Sequence, residues 1–398
     1  MVTVNGVTVR ALAYPSLVGS PRVGDRVLLN VTALEAGLGT GGYALVVAIP
    51  DRLPPDPDIT GHIVKSRYTP LQAMTGSADE QGSQYHDLLE SADSLGGMPV
   101  VVADLHSALP AILAGLFGVA GTSAAGAPRV AYVMTDGGAL PAWFSRTIAG
   151  LREANWLAAT ITTGQSFGGD LEAVTVHSGL LAAKHAVGAH VAIVTQGPGN
   201  LGTGTKWGYS GVAAGEAVNA AAVLDGCPVA SLRISFADPR DRHQGVSHHS
   251  LTAYGQVALA SADVVIPELP EPQASRVALD VVPLATRHTW SRSRSTVLTK
   301  RSARPPSRCP RWAVPLTRTP NTSWRLRRPA STQCPSWPVS PRRRLLTWWR
   351  ANRRARERAT GDTGGAGGDC PRLLRVEREI RLRWWRGCRP RRPGCRYP

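Results

Sequence analysis

From Met98 onward the chain alternates two kinds of stretch. Uninterrupted apolar runs, MPVVVADL, RVAYVMTD, LAATITTG, HVAIVTQG and PVASLRISF, are separated by segments with helical spacing, LPAILAGLFG, ALPAWFSRTIAGLREAN, LEAVTVHSGLLAAKHAVG and GVAAGEAVNAAAVL. A run that is apolar at every position keeps no face for water, as a strand covered on both sides of a parallel sheet requires. Strand followed by helix, repeated along the chain, predicts an α/β domain over residues 96–289, built on a mostly parallel, doubly wound sheet. The strand order is not contained in the pattern.

Residues 1–60 follow a different rule. Val2, Val4, Val7 and Val9 flank Asn5-Gly6, the strongest short hairpin signal, and VGDRVLLNVTAL and GGYALVVAIP add further strands. They predict a small β meander or barrel-like module, closed by Pro50, Pro54, Pro55 and Pro57. Residues 61–95 are polar and aperiodic and read as a connecting segment. Ser107–Pro128 carries no charge, but its strongly apolar part, Leu109–Val119, is too short for a bilayer. A buried helix followed by a loop is expected there, with no membrane partner, and MVTVNGVTVRALAYP has no signal-peptide pattern.

Charge divides the chain at the end of the α/β segment. Residues 1–290 hold 16 Lys and Arg against 23 Asp and Glu, whereas residues 291–398 hold 29 against 5. The overall +17 would suggest a polyanion partner, yet in the basic segment Arg outnumbers Lys 28 to one. Phosphate neutralisation does not demand that bias. In GC-rich DNA a frame read one base late yields Arg, Pro, Cys and Trp, the residues in which the segment is enriched. Regrouping Cys309–Arg325 by one base permits LSTMGRALDEDPEYFLA, an acidic and helix-compatible string. We therefore expect a frameshift just before Trp290, with 290–398 a low-complexity Arg/Pro-rich tail that is out of frame, unfolded and disordered. Resequencing the gene across that codon tests it. The competing reading is an RNA-binding arm with stacking aromatics, but a nucleic-acid partner is not expected despite the basic composition. Cys309, Cys334, Cys370, Cys388 and Cys395 lack the spacing of a zinc ribbon, and a single cysteine in the first 290 residues suits a reducing cytoplasm.

In doubly wound sheets ligands gather beyond the carboxyl ends of the strands. The residues after the runs are Asp104-Leu-His106, Asp136-Gly-Gly138, the Gly-rich TQGPGNLGTGTKWGYS and DPRDRHQGVSHH. The third is the candidate ligand loop: Gly197, Gly199, Asn200, Gly202 and Gly204 let backbone amides converge on an anion, Lys206 adds charge, and Ser210 is a candidate N-cap for the next helix. It misses both the dinucleotide and the Walker spacing. The fourth supplies His243 and His248 as candidate bases, Asp238 and Asp241 as orienters and Arg242 as an anion contact. Two adjacent histidines point in different directions on a regular element, so only one of His248 and His249 is expected beside His243. His106, with Asp104 or Asp136 fixing its tautomer, is a further catalytic candidate or else a hydrogen-bonded core histidine.

The segments RALAYPSLVG, GDRVLLNVTALEAGLGTGGYALV, GHIVKSRYTPLQ, TQGPGNLGTGTKWGYSGVAAGEAVNAAAVL and RISFADPRDRHQGVSHHSLTAYG resemble the bacterial domain-of-unknown-function family 3866 over residues 7–289. The resemblance implies a cytoplasmic protein and no assigned activity. It also implies a strand ahead of Val2 and an end like the LSTMGR string. The leading expectation is an α/β protein that binds an anionic, phosphate- or nucleotide-like small molecule at the Gly-rich loop, with no cofactor named and no metal site assigned. Two alternatives stand beside it: a metal-dependent hydrolase using Asp104, His106, Asp136 and the histidines, and a non-catalytic ligand-sensing or scaffold protein.

Overall fold

The computed structural model describes residues 1–293 except Asn5, Thr40, 57–60, 121–126 and Ala139. The N-terminal region is made of short strands. β1 (Val2–Val4) and β2 (Val7–Val9) pair antiparallel across Gly6, whose φ of +79° supplies the left-handed backbone such a turn needs. β3 (Ala11–Leu12) and β4 (Leu28–Asn30) flank a central β5 (Ala44–Ala48), parallel and antiparallel respectively, with one-turn helices α1 (Pro15–Val18) and α2 (Thr32–Glu35) between them. β6 (Ile63–Lys65) and β7 (Ala73–Thr75) form another antiparallel pair, and α3 (His86–Glu90) follows.

The main sheet begins with β8 (Pro99–Ala103), α4 (Leu109–Ala120), β9 (Val130–Thr135), α5 (Arg146–Glu153), β10 (Ala159–Thr163) and β11 (Leu171–Ala173). It continues with α6 (Val176–Leu181), β12 (Val191–Gln196), α7 (Ala213–Val223) and β13 (Cys227–Ser231). A small pair, β14 (Ile234–Ser235) and β15 (Gly245–Val246), precedes α8 (His248–Thr252), β16 (Asp263–Pro267), α9 (Gln273–Asp280) and β17 (Thr289–Ser293). Eight strands lie in the order β11-β10-β9-β12-β8-β13-β16-β17, and every pairing is parallel. The α/β architecture expected from the apolar runs is therefore the one observed. Every residue of β9, β10 and β12 is buried, as strands covered on both faces must be.

From β8 the chain steps past one position to β9 and runs outward to β11. It then returns to insert β12 between β9 and β8, crosses to β13 and runs outward the other way to β17. The winding direction reverses around β8 and β12. In doubly wound sheets the carboxyl ends beside such a reversal are where ligands gather.

Three local differences from the sequence pattern have physical causes. LEAVTVHSGLLAAKHAVG is not one helix: Leu171–Ala173 is the edge strand β11, and α6 starts behind a Thr175–Ser178 capping box. The strand is pulled in by Glu172, whose Oε2 lies 3.3 Å from the fully buried Lys65 Nζ and accepts from Thr162 at 2.7 Å. Lys65 also donates to the carbonyls of Gly164 (2.6 Å) and Ser166 (2.9 Å), so the segment 61–95 is stitched to the sheet edge. The break expected before Trp290 falls inside β17, which pairs in register with β16 through Ser293. The rest of the segment 290–398, expected to be an unfolded tail, lies outside the described residues. α4 is the buried helix expected within the uncharged stretch. No helix among the described residues is long and apolar enough to cross a membrane.

Candidate functional site at the strand crossover

Asp104 follows β8 directly and is almost fully buried. Its carbonyl accepts from Gln196 Nε2 at 2.9 Å, which ties the end of β12 to the end of β8. The single 3-10 turn Ser210–Val212 seats on both strand ends. A Cβ on Gly211 would stand 2.8 Å from the Asp104 carbonyl oxygen and 3.3 Å from Gln196 Nε2, so only glycine permits that approach. Two acceptors are left over: Asp104 Oδ2 and Gln196 Oε1 are buried without a hydrogen-bond partner. Burial pushes the Asp104 carboxyl up to about 6, against the opposing pull of Arg233 and Ser250.

The loop after β13 brings three histidines together. His243, His248 and His249 each offer one ligand atom, and these atoms lie within 4.8 Å of one another. The ring centroids are separated by 5.1 Å (His243–His248), 4.9 Å (His243–His249) and 4.4 Å (His248–His249). The expectation that only one of the adjacent pair would reach His243 is thus corrected. His248 and His249 are the first residues of α8, just after the extended Ser247 (φ −58°, ψ 137°), and at that bend both rings converge on His243. Ser247 Oγ sits 2.7 Å from His243 Nδ1 and caps α8 by accepting from His249 N at 3.2 Å. The Tyr209 ring stacks face to face on His249 at 3.8 Å and donates its hydroxyl to the His249 carbonyl at 2.7 Å. His248 Nε2 and His249 Nδ1 are buried without a partner. Burial, reinforced by Arg233 and Arg240, lowers His243 to about 4, and burial with the other two rings lowers His249 to about 3. His248 is lowered too, by burial and then Arg242.

Asp238 does not orient His243. Its carboxylate accepts from Arg240 Nε (2.9 Å) and Nη2 (2.8 Å) and from Arg233 Nη2 (3.0 Å), and Arg240 holds it well below the usual carboxylate range. Ser247 takes the orienting place instead. Asp241 and Arg242 are exposed, and Arg242 makes no ion pair among the described residues. His106 belongs to a separate network: its Nδ1 meets the Tyr132 hydroxyl at 3.0 Å and its Nε2 the Ser145 hydroxyl at 2.8 Å. Neither Asp104 nor Asp136 fixes its tautomer. Asp136 accepts instead from the Gly138 and Gln165 amides at 3.1 and 3.0 Å.

The Gly-rich loop is a folded-back turn. Gly202 bridges Tyr209, Thr203 N donates to the Gly208 carbonyl (2.8 Å), Gly208 N donates to Thr205 Oγ1 (3.1 Å) and Leu201 N donates to Ser210 Oγ (3.0 Å). The amides of Leu201, Thr203 and Gly208 are thus engaged within the loop itself. Ser210 does not cap α7, because its hydroxyl donates to Asn200 Oδ1 at 2.8 Å. Gly197 is buried against Leu140 and Met134, and Gly199 is exposed at φ +93°. Gly204, at φ +81°, marks the tip, where an added Cβ would lie 3.8 Å from Arg242 Nη2. Lys206 Nζ is 5.4 Å above the Trp207 ring. Sequence reasoning missed Tyr209, Arg233, Ser247 and Ser250 as parts of the site. Only Tyr209, an aromatic between a Gly-rich loop and a helix, carried a visible signal.

No curated protein and no solved structure matches the chain. Residues 10–308 match the family described as "Protein of unknown function (DUF3866)", a span that covers the strand crossover, the histidine loop and β17, and the chain belongs to that family.

Proposed function

We propose that this protein binds a small anionic molecule, of phosphate or nucleotide kind, where the tip of the Gly-rich loop faces the histidine loop. The observation that carries the reading is the distribution of charge. Residues 1–290 hold an excess of acids, 23 against 16 basic residues, yet Arg233, Arg240 and Arg242 all act electrostatically on His248. Asp238 pairs with both Arg233 and Arg240 and offsets one of their two charges. Arg242 is left exposed beside Gly204, with the exposed Lys206 on the same loop. A guanidinium held at a glycine corner suits bidentate capture of a phosphate-like oxygen pair. In this reading the Gly-rich loop contributes Lys206 and the histidine loop Arg242, and the protein acts in the cytoplasm.

The test is thermal-shift and calorimetric titration of the full chain with inorganic phosphate and nucleoside phosphates. A ligand at 100 times its dissociation constant adds about 2.7 kcal/mol of stability. Arg242→Ala is expected to weaken binding about tenfold, roughly 1.4 kcal/mol. Unchanged affinity in Arg242→Ala combined with Lys206→Ala would overturn the reading.

A further inference from the structure

We infer that His243, His248 and His249 form a binding site for one divalent transition-metal ion of the zinc class. The inference stands apart from the anion reading, because it uses ring nitrogens rather than charge.

The first support is an internal control. His106 and His288 are as buried as His249, and each has both ring nitrogens engaged: His106 by Tyr132 and Ser145, His288 by the Ala262 amide (3.1 Å) and the Tyr254 carbonyl (2.8 Å). This fold therefore satisfies a histidine where it needs one only for packing. At His248 and His249 it leaves Nε2 and Nδ1 bare in the interior, where an unmet hydrogen bond is costly. An ion that accepts those lone pairs removes the cost.

The second support is how the ligands are held. His243 Nδ1 is occupied by Ser247 Oγ, which leaves Nε2 as the nitrogen to face the ion. That is the arrangement of metal-binding histidines, in which the second ring nitrogen bonds to an outer partner that fixes the ring. Tyr209, stacked on His249 at an interplanar angle of 1°, fixes the second ring. The 4.8 Å spread of the candidate atoms exceeds the roughly 3.4 Å between nitrogens around a tetrahedral ion at about 2.05 Å, so small side-chain rotations close the site. An all-imidazole set selects zinc, cobalt or nickel over calcium and magnesium, which require oxygen. Asp238 bonds to both Arg233 and Arg240 and offsets one of the two charges that oppose a cation there. Three protein ligands leave a coordination position for water or for an oxygen of an anion lying beside Arg242.

The experiment uses the full chain, purified without a polyhistidine tag, stripped with chelator and titrated with Zn²⁺ and Co²⁺ in phosphate-free buffer. One equivalent is expected to bind, with Co²⁺ developing visible absorption of a low-coordinate nitrogen site. His248→Asn, at the least buried of the three, and His243→Gln are each expected to weaken binding about 100-fold or more. The exposed His177→Ala is expected to change nothing. Circular dichroism confirms folding, and His248→Asn keeps the test valid if His243→Gln does not fold. No stoichiometric uptake, uptake that survives His248→Asn, or uptake lost equally in His177→Ala would overturn the inference. Phosphate binding that depends on Arg242 would be untouched by that result, so the two readings fail separately.

Discussion

Two buried polar clusters lie at different places along the same sheet, and they are finished differently. At the β11 edge, Lys65 and Glu172 are both withdrawn from water, and every polar atom of the pair has a partner. Lys65 reaches the Gly164 and Ser166 carbonyls, and the Glu172 carboxylate is met by Lys65, Thr162 and the Gly168 amide at 2.6 Å. At the central crossover Asp104, Gln196, His248 and His249 together leave four buried atoms without a partner. A closed network holds parts of a fold together. An open one is tolerated only where something outside the chain completes it or where the cost serves chemistry. The edge is therefore an anchor, and the crossover is left open.

The largest effect expected from this contrast is at the anchor. Lys65→Met leaves the Glu172 carboxylate buried and uncompensated, and should cost about 3–5 kcal/mol in chemical denaturation. Burial already pushes the Glu172 carboxyl upward, with Lys65, Thr162 and Gly168 opposing, so the loss is expected to shrink in acid. Adding Glu172→Leu should recover most of it. If Lys65→Met alone costs less than about 1 kcal/mol, the edge is no more closed than the centre and the comparison fails.

The anchor was not legible in the sequence, whereas the sheet was. Apolar runs announce strands because burial on both faces leaves no polar positions, and β8, β9, β10, β12 and β13 follow the runs closely. β11 was hidden because its three residues hold their place through Glu172 and Lys65, a contact spanning over 100 positions that periodicity does not encode. The crossover was half legible. Position after a strand marked Asp104, Gln196 and the histidine loop as chemistry-bearing, but not which groups would be satisfied. His106 and Asp104 are two residues apart on one strand end, yet His106 is closed by Tyr132 and Ser145 while Asp104 Oδ2 has no partner. That division depends on residues 26 and 39 positions downstream of His106 and could only come from the fold.

The next effect has the opposite sign. The Asp104 carboxyl is raised from 3.8 to about 6 by burial, so the folded state resists its ionisation. Below pH 3.8 the group is neutral folded or unfolded and nothing is lost. Between 3.8 and about 6 the unfolded chain ionises while the folded one does not, and above 6 the folded state carries the full cost of about 3 kcal/mol. Asp104→Asn should then stabilise the protein by up to that amount at pH 7 and by nothing at pH 3.5. Urea midpoints measured at both values check it. A destabilised Asp104→Asn at pH 7 would mean that the carboxylate is structural, and the crossover would join the edge as an anchor.

The smallest effect is the sharpest discriminator. His106→Asn cannot reach both the Tyr132 and Ser145 hydroxyls, so buried partners go unmet and about 2–4 kcal/mol should be lost. His248→Asn in chelator-treated protein removes a ring nitrogen that bonds to nothing within the chain. It should therefore move stability by about 1 kcal/mol or less, in either direction. The two substitutions are chemically identical, and their difference reports the satisfied hydrogen bonds of His106 together with its deeper burial. Equal losses at the two positions would show that His248 works for the fold as His106 does, and the bare nitrogens would no longer point to a ligand.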